Sequence, residues 1–244
     1  VVNRLLNAMR GKMLYYLLLV IFVQSLHPIT VTNDPILVLV YQVFYTSLIA
    51  AGIIILRDQI TNVRMLVGLA LLWLITGAIY SFNQDAIAAN LVAYVVIMIY
   101  QAIIIQIFLK FIFAAPTINA DVIYAACAIY WLLGALFIPI YGITDTITYT
   151  QTGQNAFVDG IAPDPDGFFP WQTLIYYSYS TLTTLGYGEV LPVTSVARTF
   201  ASLQTMIGVL YLTVIVARLV GVYAAQEIDE ELDKVTIEKQ KPPA

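Results

Sequence analysis

Six apolar stretches, each close to the roughly 20 residues that a helix needs to cross the hydrocarbon of a bilayer, run through this 244-residue chain. They are 13–32, 35–56, 65–82, 86–109, 122–143 and 196–217, the last continuing apolar past its end. Backbone in hydrocarbon must satisfy its own N–H and C=O groups, so stretches of this length fold as helices. Composition agrees: 60% of residues are apolar and 11% charged, against about 25% charged in a soluble domain. The fold class predicted is an all-α membrane protein with six transmembrane helices. The stretch 13–32 lacks the small-residue cleavage site of a signal peptide and is read as retained.

Basic residues set the orientation, because in short loops they mark the cytoplasmic side. Arg4, Arg10, Lys12, Arg57, Arg64, Lys110, Arg218, Lys234, Lys239 and Lys241 all fall on one side of the six-span arrangement, and only Arg198 lies opposite. This predicts a multi-pass protein of the plasma membrane with both termini cytoplasmic. The opposite face collects Asp34, Asp85, Asp145, Asp159, Asp164, Asp166 and Glu189. Two readings stand: an acidic vestibule that concentrates cations, or acids that fill loops left without lysine.

Between the fifth and sixth stretches lies 181–190, TLTTLGYGEV, preceded by the aromatic segment WQTLIYYSYS. Gly-Tyr-Gly alone is an ordinary turn. Here it follows a threonine pair, has membrane-length apolar sequence on either side, and carries Gly186 and Gly188 at alternate positions, where φ > 0 is open at no steric cost. Thr184-Leu185-Gly186-Tyr187-Gly188 resembles the selectivity filter of the potassium-channel superfamily, and the resemblance runs from about 168 to 222, through the Pro192-Val193-Thr194 run and Arg198. It implies a re-entrant pore helix and filter loop between helices five and six. It further implies a homotetramer in which the Thr184 hydroxyl and the carbonyls of Thr184, Leu185, Gly186 and Tyr187 replace the water of a K⁺ ion, as such loops do in that superfamily. Tyr177, Ser180, Thr183 and Glu189 fall at filter-supporting positions, and Tyr176 and Tyr177 would form an aromatic cuff behind Tyr187. Gly208 matches a hinge glycine, and Val209, Leu212, Val216, Val220 and Ala224 match the cavity and gate stripe. Without the resemblance, that all-apolar stripe would equally suit helix packing. Glu189 and Leu185 depart from the usual Asp and Val, which bears on inactivation.

Three parts are expected: a four-helix peripheral domain at 1–115, a pore domain at 116–226 and a charged tail at 227–244. Between 86 and 109 there is no basic residue, so the fourth helix lacks the charge of a voltage sensor, whose 3–4 charges per subunit each gain about 2.3 kcal/mol per 100 mV. The run 141–169 is read as an extracellular loop with a turn-rich core at 160–167. Gln101 and Gln106 are read as interhelical hydrogen-bonding groups or as part of a lipid or ligand pocket. Asp121 is read as a first-turn carboxylate of the fifth helix and His27 as interfacial. Trp73 and Trp131 are read as packing residues, and Cys127, the only cysteine, excludes an intrachain disulfide. Ile228, Leu232 and Val235 suggest that the inner helix continues into a bundle, with a solvated tail as the other reading.

No nucleotide-binding loop, His/Cys metal cluster or nucleophile elbow is present in the sequence, so no enzyme is expected. No cofactor beyond permeant K⁺ is expected, nor a nucleic-acid partner; the bilayer and a cytoplasmic regulator on the tail are the other partners considered. Two alternatives are a non-selective cation channel of the same fold, which normally alters the tyrosine or second glycine, and a potassium transporter subunit, which carries four pore loops per chain.

Overall fold

The computed structural model describes residues 11–30, 34–56, 63–82, 87–161 and 167–240. Arg4, Arg10, Arg57, Asp85, Asp164, Asp166 and Lys241, and the 162–166 part of the turn-rich core, lie outside the described residues. The helices are α1 Met13–Ser25, α2 Pro35–Leu56, α3 Val63–Phe82, α4 Ile87–Ala114, α5 Ala120–Thr152, α6 Trp171–Leu182 and α7 Ser195–Gln240. A short 3₁₀ turn, His27–Thr30, follows α1, where Pro28 stops the α-helix. Two three-residue strands, β1 Phe157–Asp159 and β2 Val190–Pro192, pair antiparallel with Val158 opposite Leu191. The chain is an all-α membrane protein: among the described residues six helices are long and apolar enough to span a bilayer, and α6 is the short re-entrant helix between α5 and α7.

Helix α5 is the mast of the fold, packing against α1, α4, α6 and α7. Asn119 caps its start by accepting from Val122 N at 3.1 Å, with Asp121 in the first turn. At its far end the helix outruns the expected loop at 141. Residues 141–152 are helical, and the connection to α6 is confined to 153–170. Along this extension Thr144, Thr146, Thr148, Thr150 and Thr152 each return their hydroxyl to the carbonyl four residues earlier, at 2.8–2.9 Å. These bonds meet the hydroxyls inside the helix, although back-bonding of this kind does not itself strengthen it. Gly153, at φ 72°, then ends it in the left-handed conformation and donates to Tyr149 O at 2.8 Å.

Asp145 also departs from expectation. It is 1% exposed and faces the protein, not a vestibule. Its carboxylate accepts from Ala156 N at 2.7 Å, Phe169 N at 2.8 Å and Asn155 Nδ2 at 3.2 Å. Three donors from the returning segment meet one carboxylate, which offsets its burial and staples both ends of 155–169 to α5. Asp34 likewise acts locally, accepting from Ile36 N at 2.8 Å at the start of α2, and Asp159 accepts from Ile161 N at 2.9 Å.

Among α1–α4 the expected interhelical role of Gln101 is found: it is buried and donates to the Tyr45 hydroxyl at 2.6 Å, joining α4 to α2. Gln106 is exposed. Tyr100 donates to Ile49 O at 2.9 Å. Its hydroxyl lies where Gly52 leaves room, since a Cβ there would come within 2.3 Å of it. Only five residues, 115–119, separate α4 from α5.

Candidate functional site

Three contacts fix α6 in depth and rotation. At its start, Gln172 Nε2 donates to Thr30 O at 2.9 Å, and the Trp171 ring lies 5.4 Å from that of Tyr41. At mid-length the hydroxyl of Ser178 donates to Gly134 O at 2.6 Å, while the Tyr179 ring occupies the space of Gly134's missing side chain. At its end Gly208 of α7 admits the Leu182 carbonyl, which would stand 2.6 Å from an added Cβ. Gly208 therefore sits inside an unbroken helix, at the close approach of α7 to the end of α6.

A buried hydrogen-bond relay ties these helices together. Gln204, 0% exposed, donates through Nε2 to Ser178 O at 3.0 Å and Ser178 Oγ at 2.7 Å. It accepts from the hydroxyl of Tyr141. Tyr141, also 0% exposed, stacks edge-on against Tyr177 at 5.0 Å and Phe157 at 5.4 Å. Tyr177 thus packs into an aromatic cluster with α5 and β1, on its own chain.

Thr183 ends α6, donating its amide to Tyr179 O at 3.0 Å and its hydroxyl to the same carbonyl at 2.8 Å. The chain then changes hand at every second residue: φ is 59° at Thr184, 52° at Gly186 and 92° at Gly188, with Leu185 and Tyr187 negative between them. The amides of Leu185 and Gly186 both turn back onto Ser180, reaching its carbonyl at 2.9 and 3.3 Å, and Gly186 N also reaches Ser180 Oγ at 3.1 Å. Every described peptide bond is trans, so the carbonyls of Thr184 and Leu185, opposite those amides, both face away from α6. In an ordinary strand successive carbonyls would alternate. Residues 184–188 are exposed on the single chain.

Glu189 accepts from the Tyr176 hydroxyl through its carboxylate, and its backbone carbonyl accepts from Gly160 N at 2.7 Å. The β1–β2 pair follows at once, so the outer end of the loop is tied to the α5–α6 connection. A groove of about 360 Å³ lies behind the loop, lined by Tyr176, Tyr177, Ser180, Glu189 and Thr205 among others.

Helix α7 buries one narrow stripe, with Ala197, Gln204, Gly208 and Ile215 turned to its own chain. The five residues of the expected cavity and gate stripe, Val209, Leu212, Val216, Val220 and Ala224, are all exposed on one chain. Midway along α7, Arg218 reaches across to the end of α4. Its guanidinium donates to the carbonyls of Ile112 at 3.0 Å, Phe113 at 2.8 Å and Ala115 at 3.2 Å, and lies 5.2 Å from the centre of the Phe113 ring. A cation on the last carbonyls of a helix also meets the negative end of its dipole. Gln226 adds a bond by accepting from Ile118 N at 2.9 Å. The helix then continues to Gln240, taking in the segment that holds Ile228, Leu232 and Val235.

Sequence reasoning missed Gln204, the burial of Asp145 and the Arg218 cap. A glutamine inside an apolar inner helix was the available signal for the first. A lone arginine at the membrane edge reads only as topology, and no local pattern marks the second. Residues 122–225, somewhat under half of the chain, match the model of a family described as ion channel. No curated protein matches the chain, and no solved structure matches it.

Proposed function

We propose that the protein is a K⁺-selective pore formed by four identical chains, with one 184–188 strand from each around a common axis. The observation that carries this reading is the loop after α6. Ser180 draws two successive amides backward, and the alternating hand at Thr184, Gly186 and Gly188 lets successive carbonyls line one face. A column of carbonyls at close spacing is what a dehydrated cation requires in place of water. One chain supplies one such column, and fourfold closure supplies the ring. The C-terminal end of α6 directs the negative end of its dipole toward the loop, which favours a cation there.

In this reading residues 1–115 form the peripheral domain, 116–226 the pore domain and 227–244 a cytoplasmic tail. Val220 and Ala224 form an apolar constriction able to close by dewetting, and no cofactor takes part beyond the permeant ion. The chain sits in the plasma membrane with both termini in the cytoplasm, following its basic residues. The match of 122–225 to an ion channel family supports the general class. The test is the reversal potential of the purified protein in planar bilayers with K⁺ on one side and Na⁺ on the other. A value close to the K⁺ equilibrium potential is expected. A value near zero would remove the selectivity claim, and native mass spectrometry with a dominant dimer or trimer would remove the fourfold one.

A further inference from the structure

Asp145 is buried on a membrane-length helix, a costly place for a carboxylate and one where an ionisable group is a functional candidate by default. Its two oxygens hold different stretches of chain. Oδ1 accepts from Ala156 N at 2.7 Å, and Ala156 in turn accepts through its carbonyl from Val193 N at 2.9 Å. Oδ2 accepts from Phe169 N at 2.8 Å, one residue before Pro170, the N-cap of α6. Asn155 Nδ2 reinforces this second side, donating to Oδ2 at 3.2 Å and to Gly167 O at 3.0 Å. One carboxylate therefore grips both arms of the 184–188 loop, the arm that enters through α6 and the arm that leaves through β2.

The two halves of that loop are held in different ways. Its inner half is drawn onto Ser180 by the amides of Leu185 and Gly186. Its outer half is held from beyond its end, where Gly160 N reaches Glu189 O at 2.7 Å and β1 pairs with β2. Strand β1 begins at Phe157, the residue after Ala156, so the Oδ1 bond sets where the β1–β2 ladder stands relative to α5. A neutral side chain of the same shape cannot do this. Asparagine offers one acceptor and turns an N–H₂ group toward a backbone donor on its other side, so one arm must be released. We propose that Asp145 is a positioning residue for the outer end of 184–188: by fixing both arms at once, it sets the Tyr187 carbonyl against the axis that four chains share. The inference rests on the reading of 184–188 as a K⁺ pore and adds a residue from outside the loop and its helix. A cation bound among the carbonyls stabilises the same arrangement, so its binding and the Asp145 bonds support each other.

The test is Asp145→Asn in the full chain, read in two ways. In planar bilayers with little K⁺ on the outer side, the variant's K⁺ current should decay at least about tenfold faster than wild type, because a bond from a buried backbone donor to a charged acceptor is lost. Raising outer K⁺ should slow that decay toward wild type, whereas a merely structural defect would lower the amount of active protein without dependence on the ion. In lipid nanodiscs, amide hydrogen exchange should rise in peptides that contain Val193 as well as in those covering 155–161, with α1–α4 unchanged. Asn155→Ala, which leaves both backbone bonds to Asp145 in place, should shift both readouts in the same direction by less, and it decides if Asp145→Asn does not assemble. In the variant that assembles, exchange that rises only in 155–161, or a decay that equals wild type or ignores outer K⁺, would overturn the proposal and leave Asp145 a staple of the connection alone. A wild-type reversal potential near zero would strike the K⁺ reading instead, and the exchange comparison would still decide whether Asp145 holds the outer end of the loop.

Discussion

Replacing Gln204 by Leu isolates the relay that joins the inner helix, the re-entrant helix and the outer helix. The amide makes two bonds to Ser178 and accepts one from Tyr141. Ser178 is little harmed by the loss, because its hydroxyl keeps the bond to Gly134 O at 2.6 Å. Tyr141 has no such reserve: it is 0% exposed, and its hydroxyl would be left unmet. Interhelical hydrogen bonds in membrane proteins average only about 0.6 kcal/mol, while an orphaned buried donor costs about 1–3 kcal/mol. The second effect should win, so Gln204→Leu is expected to destabilise each subunit by about 2 kcal/mol. Tyr141→Phe strands only the amide oxygen and should cost about 1 kcal/mol. With both partners apolar nothing is stranded, and the double variant should cost at least about 1 kcal/mol less than the sum of the singles. Unfolding in mixed SDS and lipid micelles, followed by near-ultraviolet circular dichroism, measures all four proteins. Additivity to within about 0.3 kcal/mol would refute the coupling and reduce Gln204 to a packing residue.

Gly186→Ala places a Cβ on a residue at φ 52°, a strain of about 1–2 kcal/mol per subunit; it should abolish K⁺ over Na⁺ selectivity in bi-ionic reversal measurements while the protein still assembles. Gly208→Ala meets the Leu182 carbonyl at 2.6 Å, whereas an added Cβ at Gly221 meets nothing within 4 Å. The first should lower thermal stability and conductance, and the second should leave both near wild type. Helix α4 carries Lys110 as its one basic residue, so open probability from strongly negative to strongly positive voltage should rise shallowly, with a gating charge below about four per tetramer against roughly 12–16 where sensors are present. A steep sigmoid in single-channel recordings would contradict this.

The spans were legible because length and apolarity alone dictate helices in hydrocarbon, and α2 begins and ends at the residues expected. The loop after α6 was legible because alternate glycines carry a conformational meaning; Thr184, which takes φ 59° without being glycine, carried none. The end of α5 was misread because the apolar stretch ends at 143, whereas the helix runs on through polar, threonine-rich sequence to Thr152. Asp145 was placed outside because charge suggests solvent, yet its three donors come from residues 10 to 24 positions away. Such long-range satisfaction leaves no trace in local sequence. Gln204 shares this character, since its bonds join helices brought together only in the fold.

The connection between α4 and α5 bears on how force would travel. Five residues can span only about 20 Å even when extended, and α1 and α4 pack directly against the same chain's α5. Arg218 and Gln226 then fasten the same junction to the same chain's α7. In a fourfold assembly each quarter would be a self-contained transmission, with its own input, joint and output. A disturbance in one peripheral domain would therefore strain one inner helix before its neighbours, and any concertedness among the four must arise where they meet at the axis.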